Sequence, residues 1–396
     1  MPSLIEHQIP QYYTPAFNEQ GIIYEPATYP APDKYVVTVT IDTESNTFDV
    51  YSRPDGLLFF DAKETVSNFI KTKLGYDNTT DLQKYVATTE YVFVEILIET
   101  VGYTDVLFSY YAFNACLKEN DFLAYNVDEW YKPSLAEYTD AKLFMNEGYD
   151  STNIDDNVTL NTDYWLTFIK GVATNISWLL YDDTNTSVGS GIVSIPAGVP
   201  EDIIRINLSP KQIGLLAGVT VGNGFTIEAA LNYIYASLQD IFIPTIQDIC
   251  TKYPVYRLYF LKRNGAIGYK TFEKTSELKV EKKINTVRLN PSTITASGGV
   301  FSYGKSTGSH TNNVVSTDCT YTLTLNSDWI TEAQSNKLDE LFDSPKVWLQ
   351  DDSDGSIKAV TIKESSYTFR QHINEPLFNY NVNIEFDTKE TRQRGI

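Results

Sequence analysis

The chain has 396 residues, enough for two or three domains, and 42% of them are hydrophobic, so each domain can bury a core. It carries 31 Lys and Arg against 51 Asp and Glu, a net charge of −20, which argues against nucleic acid and anionic membranes as partners, because affinity for phosphate comes mostly from Lys and Arg. Cys116, Cys250 and Cys319 form no CxxC pair, which excludes a disulfide framework and a zinc ribbon and predicts reduced, buried thiols in a protein made in a cytoplasm.

The 28 Tyr and 20 Phe, against 2 Met, favour strands. The first residues, "MPSLIEHQIPQYY", lack the basic and apolar regions of a secretory signal, and no run of 18 apolar residues predicts a membrane helix.

In chain order, residues 1–60 are punctuated by Pro10, Pro15, Pro26, Pro30 and Pro32. "KYVVTVTID" (34–42) alternates and is β-branched, which predicts a strand, and Pro54-Asp55-Gly56 predicts a turn. A helix is predicted next, with Asp61 and Glu64 as a capping box, Val66, Phe69, Ile70 and Leu74 on one face, and Gly75 as its stop. "EYVFVEILIET" (90–100) is the strongest strand of this region. A polar, turn-rich stretch at 146–157 marks a boundary, which gives an N-terminal β-rich domain over 1–147 with one helix.

Residues 148–285 repeat a strand rhythm: "YWLTFIKG", "ISWLLYDD", "SVGSGIVSIPAG", "DIIRINLSP", "GFTIEAALNYIYAS". Short strands with Gly, Asn and Pro punctuation predict an Ig- or fibronectin-like β-sandwich. It ends in the ribbon "YRLYFLKRNGAIGYKTFEKTSELKVEKK", whose runs flank an Arg263-Asn264-Gly265 turn. The third domain, 286–396, opens with a Gly/Ser/Thr/Asn-rich ribbon. It then has the strand "CTYTLTLNS", a helix over 331–345 with Leu338, Leu341 and Phe342 on its buried face, and three more strands. The fold class is therefore mainly β and multi-domain, with a few short helices and an α+β closing domain.

Candidate chemistry is sparse. Gly299–Ser306 matches the phosphate-loop pattern GxxxxGK[ST], yet polar "STITAS" precedes it and no helical period follows, so a Gly-rich ribbon is expected. "DDSDGS" (351–356) has the start of a calcium loop, but Ile362 stands where the twelfth-position Glu is needed, and a hairpin turn is expected. His7, His310 and His372 stand alone with no metal spacing. With no set of acid, base and nucleophile, neither an enzyme nor a cofactor is expected. The five Trp and the many Tyr could stack on sugars; core or interface roles are their ordinary use.

The ribbon carries a resemblance. Tyr259, Phe260, Leu261, Arg263, Gly265, Thr271 and Phe272 in "YRLYFLKRNGAIGYKTFEKTSE" resemble a recurring segment of virion structural proteins of tailed phages, particularly those infecting Bacteroidota. Pro15, Ala16, Phe17 and Asn18 are similar to the N-terminal entry of that group, with Glu19 in place of its second Pro. "NSDWITEAQSNKLDELFDSPKVWLQD" and "YNVNIEFDT" resemble its closing domain. The resemblance implies a structural subunit of a tail, baseplate or tail tip, located in the virion, with itself and other tail proteins as partners. The alternative is a receptor- or glycan-binding module of the same particle. The densest basic cluster, Lys274, Lys279, Lys282 and Lys283, is the expected subunit interface of a symmetric ring or sleeve.

Overall fold

The computed structural model describes residues 3–10, 13–27, 31–70, 85–88, 90–117, 160–161, 163–171, 173–195, 197–233, 237–243, 252–288, 292–305, 312–331, 338–351, 357–363, 377–387 and 390–391. The chain divides into two compact units. The first is Met1–Cys250, Tyr259–Lys270 and Asp343–Pro345; the second is Thr251–Leu258, Thr271–Phe342 and Lys346–Ile396. The expected break at 147/148 lies outside the described residues, and the one at 285/286 falls inside a strand. The protein is mainly β, with several separate sheets and few short helices. No described helix is long and apolar enough to cross a membrane.

The first unit opens with β1 (Leu4–Gln8), β2 (Tyr13–Pro15), β3 (Gly21–Pro26), β4 (Lys34–Ile41), β5 (Glu44–Tyr51), β6 (Leu58–Asp61) and α1 (Lys63–Ser67). β7 (Tyr85–Thr88), β8 (Tyr91–Glu99) and β9 (Val106–Phe113) follow. Sheets β1-β3-β6 and β2-β9-β8-β4-β5 share one core, and β2 runs parallel to β9. The strict alternation of β4 and β8 buries Tyr35, Val37, Val39, Ile41, Val92, Val94, Ile96 and Ile98, as a half-buried antiparallel sheet requires.

β10 (Trp165–Ile169), β11 (Ala173–Tyr181), β12 (Ser187–Ser194), β13 (Ile203–Asn207), α2 (Pro210–Ala217), β14 (Thr226–Tyr233) and β15 (Ser237–Ile243) complete the run. Sheets β10-β13-β7 and β12-β11-β14-β15 close around Phe168, Ile176, Trp178, Leu180, Ile204 and Ile206 as a second sandwich. Every residue of β10 and β13 is buried, because their other face meets Tyr13, Phe113 and Ala266 through Ile169 and Ile203.

β16 (Tyr256–Leu261) and β17 (Ile267–Phe272) straddle the division. The second unit holds β18 (Ser276–Arg288), β19 (Ser292–Ser297), β20 (Val300–Lys305) and β21 (Asn312–Thr331). A helical turn, α3, covers 338–342. β22 (Val347–Asp351), β23 (Ile357–Ile362), β24 (Leu377–Phe386) and β25 (Glu390–Thr391) end it. Its sheet runs β22-β23-β24-β21-β18, with β25 also on β21, and β19 pairs with β20 alone.

Several local expectations change. The capping box at Asp61 does not form. Asp61 ends β6, and its Oδ1 accepts from the Gln20 N–H (2.9 Å) and the Lys63 N–H (3.0 Å), so Ala62 becomes the N-cap. That carboxylate ties the helix start to the residue just before β3 rather than to the third residue of its own turn. Of the described residues of the closing helix, Leu338 and Leu341 are buried but Phe342 is only half-buried. Thr331, which the sequence offers with Gln334 as a capping box for this helix, is the last residue of β21, and residues 332–337 lie outside the described set.

Cys319 is buried as expected; Cys116 is exposed, because the inward-facing residues of that stretch are Ala115 and Leu117. Among the described residues, fully buried tyrosines are part of the cores. Tyr13, Tyr24, Tyr35, Tyr110 and Tyr259 are fully buried. The Tyr110 hydroxyl donates to Gln20 Oε1 and that of Tyr35 to the Gly56 carbonyl, while the Tyr259 hydroxyl accepts from the Asp163 N–H. Burial raises the Tyr110 pKa well above the ordinary phenol value.

Candidate assembly surface

The β16–β17 ribbon and the strand that follows it have different fates. At its turn, Gly265 N–H donates to the Lys262 carbonyl (3.0 Å) and Lys262 N–H donates to the Ala266 carbonyl (2.8 Å). Gly265 has φ +85°, a left-handed position that closes a type I turn with a one-residue bulge. Arg53–Leu57 and Asp182–Thr186 close the same way, with Gly56 and Asn185 left-handed.

This turn is buried. Ala266 has no exposed surface and Asn264 is 8% exposed. Arg205 Nη2 donates to the Gly265 carbonyl (2.7 Å) and to Glu90 Oε2 (3.1 Å), and both ionised side chains are wholly buried. Cys116 N–H donates to the Arg263 carbonyl (2.8 Å). Burial lowers the Arg205 pKa from its ordinary value, while the Glu90 charge and hydrogen bond oppose that shift. The turn therefore contributes to the core of the first unit, not to an exposed contact.

The strand that follows the ribbon is exposed. All of β18 after its first residue is exposed, over a strand of 13 residues. It lies at one end of its sheet, and among the described residues its ladder partner is β21. Strand alternation divides the expected basic cluster. Lys279 and Lys283 share a face with Glu277 and Glu281, opposite Thr322, Asp318, Thr324 and Thr320 of β21. Lys282 is on the other face with Leu278, Val280 and Ile284, and Lys274 precedes the strand on exposed chain. Lys279 Nζ donates to Glu281 Oε1 (2.7 Å), and this bond lowers the Glu281 pKa and raises that of Lys279.

The second face is a core face that runs past its cover. On β21, Leu325, Leu323, Cys319 and Thr317 are buried on that side. Beside them on β18, Leu278, Val280 and Ile284 are 57%, 50% and 47% exposed. A long apolar edge strand left open favours pairing with another chain.

The phosphate-loop match sits in a hairpin. Gly298 and Gly299 have φ +61° and +83° and form a two-residue turn between β19 and β20, so Gly299–Lys305 runs from that turn into extended strand; Ser306 lies outside the described residues. Extended backbone cannot aim successive amides at one phosphate. Lys305→Ala is expected to leave folding and assembly intact, and nucleotide binding by the purified chain that this variant abolishes would overturn that assignment. The calcium-like stretch joins the antiparallel neighbours β22 and β23, and its residues 352–356 are outside the described set. Among the described residues no group of three or more His, Cys, Asp and Glu is placed to hold a metal. Trp165, Trp178 and Trp348 are buried, whereas Trp329 is 65% exposed.

No family model matches the chain, and no curated protein matches it. Among solved structures, one neighbour is described as "Ca2+-stabilized adhesin helps an Antarctic bacterium reach out and bind ice". It is 8% identical, covers 96% of this chain and 97% of its own, and superposes with a TM-score of 0.16, too low to bear on fold or function.

Proposed function

We propose that this chain is a non-enzymatic structural subunit of a phage virion, in the tail, baseplate or tail tip, built as one copy of a symmetric ring or sleeve. The observation that carries the reading is the β18–β21 ribbon. Strands of 13 and 20 residues end in an edge whose core-side residues stand in solvent. Such a surface is costly for a monomer and useful to a building block. The resemblance of residues 256–277, the N-terminal entry and the closing stretches to virion proteins supplies the particle. The partners are further copies of the chain and other tail proteins, with neither nucleic acid nor membrane insertion, in keeping with a net charge of −20.

The test is the composition of the purified particle. Mass spectrometry of virions that encode this chain should find it at a copy number typical of a ring component; its absence would refute the reading. Reversing Lys279, Lys282 and Lys283 together to Glu should leave the monomer folded and make incorporation defective or salt-sensitive. Normal particle yield and composition would remove these lysines from the interface.

Receptor or glycan binding by the same particle is the second reading, favoured by the exposed indole of Trp329. A glycan array signal lost in Trp329→Ala would select it.

A further inference from the structure

We propose that two copies of this chain pair antiparallel through β18, edge to edge, about a two-fold axis at Val280. The contact concerns two copies of the chain and stands or falls apart from the virion assignment.

The argument starts from symmetry. Two copies of one edge strand make a continuous antiparallel sheet when the axis is perpendicular to it, and then each face of one copy continues the same face of the other. Residues that meet across the axis are equidistant from the central residue. With Val280 at the centre, Glu277 meets Lys283 and Lys279 meets Glu281, and symmetry repeats both pairs. With Lys279 at the centre, Glu277 would meet Glu281 and Lys279 would meet itself. With Glu281 at the centre, Lys279 would meet Lys283 and Glu281 would meet itself. Like charges directly opposite are destabilising and unlike charges stabilising, so the Glu-x-Lys-x-Glu-x-Lys stripe specifies one register.

The core-side face agrees with that register. Val280 meets Val280, and Leu278 meets Lys282, whose aliphatic stem can lie along the leucine while its ammonium reaches water. Ser276 meets Ile284. Leu278, Val280 and Ile284, each about half exposed in the single chain, would extend the buried row of Leu325, Leu323 and Cys319 on β21 across the junction. The lysines thereby have two effects. They stabilise one pairing and oppose the neighbouring registers and the non-specific stacking that an open edge invites. This contact closes at two copies, so a ring would also need a second, head-to-tail interface.

The experiment uses the full chain and two charge variants, Glu277→Lys with Glu281→Lys, and Lys279→Glu with Lys283→Glu. All four positions are exposed, so folding should be preserved, and a melting curve checks this. By sedimentation velocity the native chain should dimerise. Each variant alone should associate at least about tenfold more weakly, since every cross-strand charge pair becomes repulsive. An equimolar mixture should regain the dimer, because an all-Lys stripe then faces an all-Glu stripe. A native chain that stays monomeric at all concentrations, variants that dimerise as the native chain does, or a mixture that does not recover would each overturn the proposal.

Discussion

Replacing Glu90 with Ala is expected to cost about 3–5 kcal/mol of folding stability, the range for removing one partner of a buried ion pair. Arg205 would keep its charge with no solvent to receive it, since both side chains are wholly buried. Its remaining bond would be to the Gly265 carbonyl, and its Nε and Nη1 already have no protein partner among the described residues. Glu90→Gln keeps an acceptor for Nη2 and should cost less than Glu90→Ala. The exposed pair Lys279–Glu281 provides the contrast: in the monomeric chain Glu281→Ala should leave the urea midpoint almost unchanged, as for surface ion pairs. Urea titrations of the three variants give the order. Equal losses at Glu90 and Glu281 would show that the buried pair does not hold the hairpin turn.

Truncation of Leu338 to Ala should cost about 2–5 kcal/mol by loss of transfer energy plus a cavity. Leu338 is 1% exposed and Leu341 has no exposed surface, so α3 buries both side chains. Phe342→Ala should cost less, because that side chain is only partly buried. A loss at Leu338 within about 0.5 kcal/mol, the range of ordinary surface substitutions, would show that the turn is unpacked. Both comparisons rest on chemical denaturation of the isolated chain at concentrations that keep it monomeric.

Much of the β architecture was legible because it is local. The period-two alternation of residues 34–41 and 91–99 is enforced by the pleat, so the buried set can be read directly from the order of residues. Turn chemistry was legible for the same reason at Pro54-Asp55-Gly56 and Arg263-Asn264-Gly265. One local signal went unread. Ser209 caps α2 by accepting from the Gln212 N–H, Pro210 sits in its first turn, and Gly218 follows in the left-handed region. The apolar strand before it, fully buried, masked the change of period.

The candidate assembly surface divides in the same way. A basic cluster at residues 274–283 is a fact of composition, and its separation onto two faces follows once a strand is granted. That the Arg263-Asn264-Gly265 turn would be buried does not follow. Its partners Glu90, Cys116 and Arg205 are separated from it by long stretches of chain, and no local pattern encodes such a meeting. The same holds for Asp61, which looked like a helix cap and instead accepts from the Gln20 N–H at the start of the antiparallel β3–β6 pair.

What the sequence by itself determined is the class of structure: a β-rich, strongly acidic chain, with strands and turns placed by alternation and by Gly, Asn and Pro. Only the tertiary structure decided which edges are closed and which stay open. Alternation states that a residue faces one side of a sheet, whereas exposure depends on what the rest of the chain lays over that side. Leu278 and Leu323 are alike in sequence and share a face in register, yet one is 57% exposed and the other 3%. The difference is that β21 has strands on both sides and β18 ends the sheet among the described residues, a consequence of long-range pairing that no short window of residues contains.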